Sequence, residues 1–162
     1  MYKYIALFLI FGAICYIGYL LKLSYKRKVD FFELYNNFLE YTLFEIKNNK
    51  TDFENIIDKY LINNKNLFSN ILEKYKANLY NINNTKIISN GLFLTKFEVE
   101  NIKLFFNKIA TLDYDSAIIF INKNIIIVNG FIDSAKKDLQ KKGELYFKLS
   151  IMLAFFITII LI

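Results

Sequence analysis

Proline, histidine and tryptophan are absent from this 162-residue chain, and Cys15 is its only cysteine. Each absence excludes something. Without histidine there is no imidazole base and none of the commonest metal ligand. A lone cysteine gives neither a disulfide framework nor a Cys-based metal site. Without proline, and with only five glycines, few positions force a turn, which favours long helices over a strand-and-turn architecture. The chain has no Gly-x-x-x-x-Gly-Lys-Ser/Thr phosphate loop, no Gly-x-Gly-x-x-Gly and no Gly-x-Ser-x-Gly. Carboxylate pairs do occur. At i, i+2 on a helix, Glu98 and Glu100 point to different faces, while Asp113 and Asp115 fall where a helix cap is expected. Nothing in this inventory reads as an enzyme, a metal site or a cofactor site. Asn, Lys and Ile are abundant and Arg27 is the only arginine, a coding bias that argues against reading single Asn or Lys residues as functional.

What the chain does have is apolar length. Tyr4 to Leu21 carries no charge, and neither does Leu149 to Ile162. The hydrophobic fraction is 55% and the mean hydropathy is +0.27, high values for a soluble protein of this size. As a helix the first run spans about 27 Å, at the threshold for crossing a bilayer. The second alone spans about 21 Å. Leu145, Tyr146 and Phe147 bring it to a workable length if Lys148 snorkels to the interface. The expected organisation is therefore a transmembrane helix over 4–21, a middle domain over 22–144, and a second transmembrane helix over 145–162. A buried C-terminal core helix is the alternative for the second run, and a cleaved signal peptide or a lipidated Cys15 for the first. Against these, the second run has no polar face, no small-x-small cleavage site follows the first, and Ile14 precedes the cysteine.

Flanking charge sets orientation. Of the 21 Lys and Arg residues, only Lys3 lies outside the segment between the two apolar runs. Lys22, Lys26, Arg27 and Lys28 follow the first run, and Lys136, Lys137, Lys141, Lys142 and Lys148 precede the second. The positive-inside rule places the middle domain in the cytoplasm. These cations, with Tyr146, read as membrane-interface anchors and topology signals towards the lipid bilayer rather than as a nucleic-acid surface.

The middle domain reads as all-α. Thr51-Asp52-Phe53-Glu54 and Thr95-Lys96-Phe97-Glu98 are both Thr-x-x-Glu ahead of apolar-periodic stretches, the pattern of a capping box. Helical stripes run over Phe31, Tyr35, Phe38, Leu39, Thr42 and Ile46, then Phe53, Ile56, Ile57, Tyr60 and Leu61. A third covers Leu67, Phe68, Ile71, Leu72, Tyr75 and Leu79, a short piece covers about 85–92, and a fifth shows Val99, Ile102, Phe106 and Ile109. Ala117 to Ile132 is β-branched in part and could turn a hairpin at Asn122-Lys123-Asn124. The helical reading, capped by Asp113 or Asp115 with Ala117, Ile118, Ile121, Ile125, Val128, Ile132 and Ala135 on one buried face, is preferred, because a lone hairpin would lack a partner sheet. The expected fold is a cytoplasmic bundle of about six helices flanked by two transmembrane helices.

This arrangement resembles the stage III sporulation protein AB family along nearly the whole chain. Glu45-Ile46 with Thr51-Asp52-Phe53-Glu54 resembles the family's Glu-Ile and Thr-Pro-Leu-x-Glu stretch, and Asp115 sits where the family has an acidic residue before its last long helix. Leu145-Tyr146-Phe147-Lys148-Leu149 and the Ile159-Ile160-Leu161-Ile162 ending resemble its terminal Tyr-x-x-Leu-Gly and aliphatic tail. This sequence departs in several places. Asp52 replaces the family's proline, a glycine pair is missing around Ala110 to Tyr114, and a glutamine appears as Ile119. The two glycines of the last membrane helix fall on Ser150 and Ala154, which stay small and keep a packing face.

The resemblance implies a bundle like that of type II secretion and type IV pilus platform proteins, placed at the outer forespore membrane with its bundle in the mother-cell cytoplasm and both termini across the membrane. It also implies a role during engulfment in a channel-like assembly. The implied partners are a secretion-type cytoplasmic ATPase and other membrane channel components, with a second copy of the chain as a further one. Glu45, Glu54 and Asp115 are the expected docking charges. Two other classes compete: a membrane-tethered adaptor or regulator unrelated to secretion, and a pore-forming protein. The membrane helices lack the polar residues that a pore would need.

Overall fold

The computed structural model describes residues 2–77 and 92–161, and within them every regular element is helical. Five helices appear: α1 (Tyr2–Asn49), α2 (Phe53–Asn63), α3 (Leu67–Ala77), α4 (Lys96–Ile109) and α5 (Tyr114–Leu161). A π turn at Leu139–Gly143 interrupts α5, which is α-helical over Tyr114–Asp138 and Glu144–Leu161. The short piece expected over 85–92 lies outside the described residues except for Leu92, which is not helical, and Leu79 of the third stripe also lies outside them. Ala117 to Ile132 is helix, not hairpin.

Two expectations change. The first apolar run and the first stripe of the middle domain belong to one helix, because nothing between Leu21 and Phe31 breaks it. The capping box forms at one of its two predicted places. Thr95 Oγ1 accepts from the Glu98 amide at 3.2 Å while Glu98 Oε2 accepts from the Thr95 amide at 2.6 Å. At the other, Asp52 rather than Thr51 holds the cap position of α2, without a side-chain cap bond. Thr51 turns its hydroxyl to Glu45 instead.

The chain divides into two compact units, Asp30–Asp133 and Met1–Val29 with Ser134–Ile162. In the first, aromatic rings from α1 to α4 fill the core. Phe38 on α1 is fully buried and touches Phe53 and Tyr60 of α2, Phe68 of α3 and Phe106 of α4, with centroids 5.1–6.3 Å apart. α5 buries Ala117, Ile121, Val128 and Ile132 of the face its periodicity predicts, leaves Ile118 and Ile125 of that face half-buried, and stacks Phe120 on Phe105 of α4 at 5.9 Å. Two buried polar side chains bond within their own helix: Thr42 Oγ1 donates to the Phe38 carbonyl and Asn124 Nδ2 to that of Phe120, both at 2.8 Å.

In the second unit, the early part of α1 packs against the late part of α5. Phe11 meets Phe155 edge-on at 5.1 Å, and Tyr25 stacks on Tyr146 at 6.3 Å. Between these ring pairs Gly18 abuts Ser150. A Cβ built on Gly18 would fall 2.5 Å from Ser150 Cβ and closer still to its Oγ. Only glycine lets the two backbones approach this far. Ser150 Oγ donates to the Phe147 carbonyl at 2.7 Å and Thr158 Oγ1 to that of Ala154 at 2.8 Å. Both hydroxyls are thus satisfied without water. The Lys22 ammonium sits 5.6 Å over the Phe147 ring.

Candidate interaction cleft

Glu45 ends the buried face of α1, and the structure places its carboxylate inside the fold. Oε2 accepts from Lys59 Nζ of α2 at 2.9 Å and from Thr51 Oγ1 at 3.0 Å. The Lys59 ammonium, followed by further side-chain donors, holds the Glu45 carboxyl below the usual carboxylate range. α1 then stops at Lys50, whose φ of 48° is left-handed and whose amide donates to the Ile46 carbonyl at 3.2 Å. Thr51 and Asp52 turn the chain into α2.

The start of α5 docks on this turn. Tyr114 Oη donates to the Lys50 carbonyl at 3.0 Å, with Asp52 Oδ1 as a second acceptor at 3.3 Å. The negative charge of Asp52 raises the Tyr114 phenol above its ordinary pKa. Asp113 is the cap: its Oδ2 accepts from the Ser116 amide at 3.3 Å, and the Ser116 hydroxyl, followed by that amide, lowers its pKa. Asp115, the alternative cap, lies exposed in the first turn.

These contacts frame a cleft of about 480 Å³. Its floor is apolar, from Ile46, Phe53, Ile109, Leu112 and Ala117, and its rim carries Asp52, Glu54 and Asp113. Such a site accepts a cationic side chain whose aliphatic stem lies on the floor and whose head meets the carboxylates. No group of His, Cys, Asp and Glu among the described residues could hold a metal ion.

Of the three expected docking charges, the structure brings only Glu54 to the cleft. Glu45 stands behind it as an internal tie, and Asp115 lies on the outer ridge of α5. Tyr114 and Asp52 were missed. Tyr114 carries no signal that sequence could give, because its partners lie more than sixty residues away. Among the expected interface anchors, Lys26, Arg27, Tyr146 and Lys148 are exposed, Lys22 is partly covered by Phe147, and Lys28 is buried. Ala154 is fully buried and Ser150 half-buried against Gly18.

Taken together, fold and surface define an all-α protein with two helices long and apolar enough to cross a membrane. The chain belongs to the stage III sporulation protein AB family, whose model matches residues 3–162. The family is one of stage III sporulation proteins. No curated protein and no solved structure matches the chain.

Proposed function

We propose that the protein is a non-enzymatic membrane platform in the secretion-like assembly between mother cell and forespore, and that it docks a cytoplasmic ATPase. One observation carries the membrane part. In the most apolar stretches of α1 and α5 only 11% and 6% of the residues are buried, so most of these side chains are exposed. In water that surface would be an aggregation liability, and in lipid it is the expected exterior. The helices cross the bilayer as an antiparallel pair closed at Gly18 and Ser150, with Tyr146 and the exposed cations at the interface. The Lys and Arg surplus next to both runs orients the domain in between towards the mother-cell cytoplasm.

The acidic cleft is the docking place for the ATPase. Two of its carboxylates are held by the fold, Asp52 by Tyr114 and Asp113 by Ser116, which lowers the ordering cost of binding a cationic partner. The test is capture of the secretion-type ATPase of the same genome by the tagged full-length protein in detergent. Specific capture at one nucleotide state or more supports the platform. No capture at any salt or nucleotide state replaces it with a membrane-tethered adaptor unrelated to secretion.

A further inference from the structure

The outer ridge of α5 carries Asp115, Ile119, Lys123 and Ile126, all exposed. Ile119 and Ile126 are 71% and 74% accessible, high values for isoleucines within the polar-faced part of a helix. Beside them lies a hollow of about 250 Å³ lined by Lys108, Leu112, Ser116, Ile119, Phe120 and Lys123. We propose that this ridge binds the same ridge of a second copy, antiparallel, about a two-fold axis at Ile119.

The order of charges along the ridge selects this register. Asp115, Ile119 and Lys123 follow one another at i, i+4 and i+8, so they share a face. A two-fold axis at Ile119 sets Asp115 of each copy opposite Lys123 of the other, twice over. An axis at Lys123 would oppose two ammonium groups, and one at Asp115 two carboxylates. A two-fold interface must be self-complementary, and of these three registers only the one centred on Ile119 is. The apolar groups agree. In that register Ile126 of one copy falls just past the start of α5 in the other, at the end where Leu112 of the hollow lies. Ser116 and Asn122 face one another across the axis, and both are small enough for close approach. Membrane tethers, where both copies share a bilayer, raise the effective concentration at which so small an interface forms.

The test uses the full chain in nanodiscs or mild detergent, with Cys15→Ala removing the native thiol. Ile119→Cys places a cysteine on the axis and is expected to form an intermolecular disulfide at least tenfold faster than Asn129→Cys, which lies off the ridge. Asp115→Lys and Lys123→Asp, each alone, replace two attractions with two repulsions and are expected to weaken self-association at least tenfold. The double swap Asp115→Lys with Lys123→Asp restores both pairs and is expected to recover it. Because the swap keeps any loss of first-turn helix stability caused by Asp115→Lys, recovery separates the contact from helix stability. A wild type that stays monomeric, equal disulfide rates at 119 and 129, or a double swap as weak as the single variants would each overturn the proposal.

Discussion

Glu45 near the end of α1 and Lys59 on α2 meet at 2.9 Å, and the Thr51 hydroxyl bonds the same carboxylate oxygen at 3.0 Å. Three points of the α1–α2 turn are therefore held by one side chain. Lys59 stays half-exposed, so water competes for its charge and the tie is worth about 1 kcal/mol. Glu45→Gln is expected to lower the thermal midpoint by a few degrees. The sign of the pH dependence follows from the lowered pKa. The unfolded state binds the proton first, so the stabilisation is present above the ordinary glutamate range, near 4.3, and is lost as pH falls through the lower folded value. Unfolding followed by circular dichroism should therefore show wild type losing stability more steeply than Glu45→Gln as pH falls, with the two proteins converging once Glu45 is protonated. Identical curves would remove the ion pair from the account.

Lys50 occupies left-handed backbone at φ 48°, where a side chain costs energy that glycine avoids. Lys50→Gly is expected to stabilise the protein by about 0.5–1 kcal/mol, since its contacts at the turn are made by backbone atoms, namely the bonds to Ile46 and from Tyr114. Denaturant unfolding in detergent checks this. A loss of stability would mean that the lysine side chain itself holds the turn.

Gly18 and Ser150 leave no room for a methyl group between them. Gly18→Ala is expected to cost about 1–3 kcal/mol of helix-pair stability, as overpacking of a close contact does. Ser150→Gly in the same chain removes both atoms that the new methyl group meets, so the double variant should recover most of the loss. A disulfide between Phe11→Cys and Phe155→Cys, in a Cys15→Ala background, reports whether the pair still closes. Unimpaired crosslinking in Gly18→Ala would show that the pair accommodates the methyl group and does not require glycine at position 18.

Much of this structure was legible before it was seen, for physical reasons that can be named. The aromatic stripe Phe31, Tyr35, Phe38 repeats at helical spacing, and its buried face follows from that period alone. The Thr95 box is written in four consecutive residues and forms as read. The Thr51 box has the same letters and does not form, because Glu45, six residues earlier, takes the hydroxyl. That competition is tertiary, and a local motif cannot register it. The same reason hid the true place of Glu45. Its residue type marks a surface charge, and only the approach of α2 makes it an internal tie. The cleft was half visible: Glu54 and Asp113 stood out as helix-start carboxylates, while Tyr114 joined them only through the fold.

The central claim is that this cleft docks a motor ATPase, and a binding curve tests it most directly. The full-length protein in nanodiscs would be titrated with the purified ATPase, wild type against Glu54→Lys. Glu54 is exposed on the cleft rim, and Glu45 bonds Lys59 and Thr51 instead, so the reversal alters the rim and leaves the Glu45 tie in place. Loss of one attraction and gain of one repulsion at a desolvated rim predicts at least tenfold weaker binding, about 1.4 kcal/mol or more, with circular dichroism unchanged. Equal affinity of the two proteins would contradict the account and move the docking surface elsewhere.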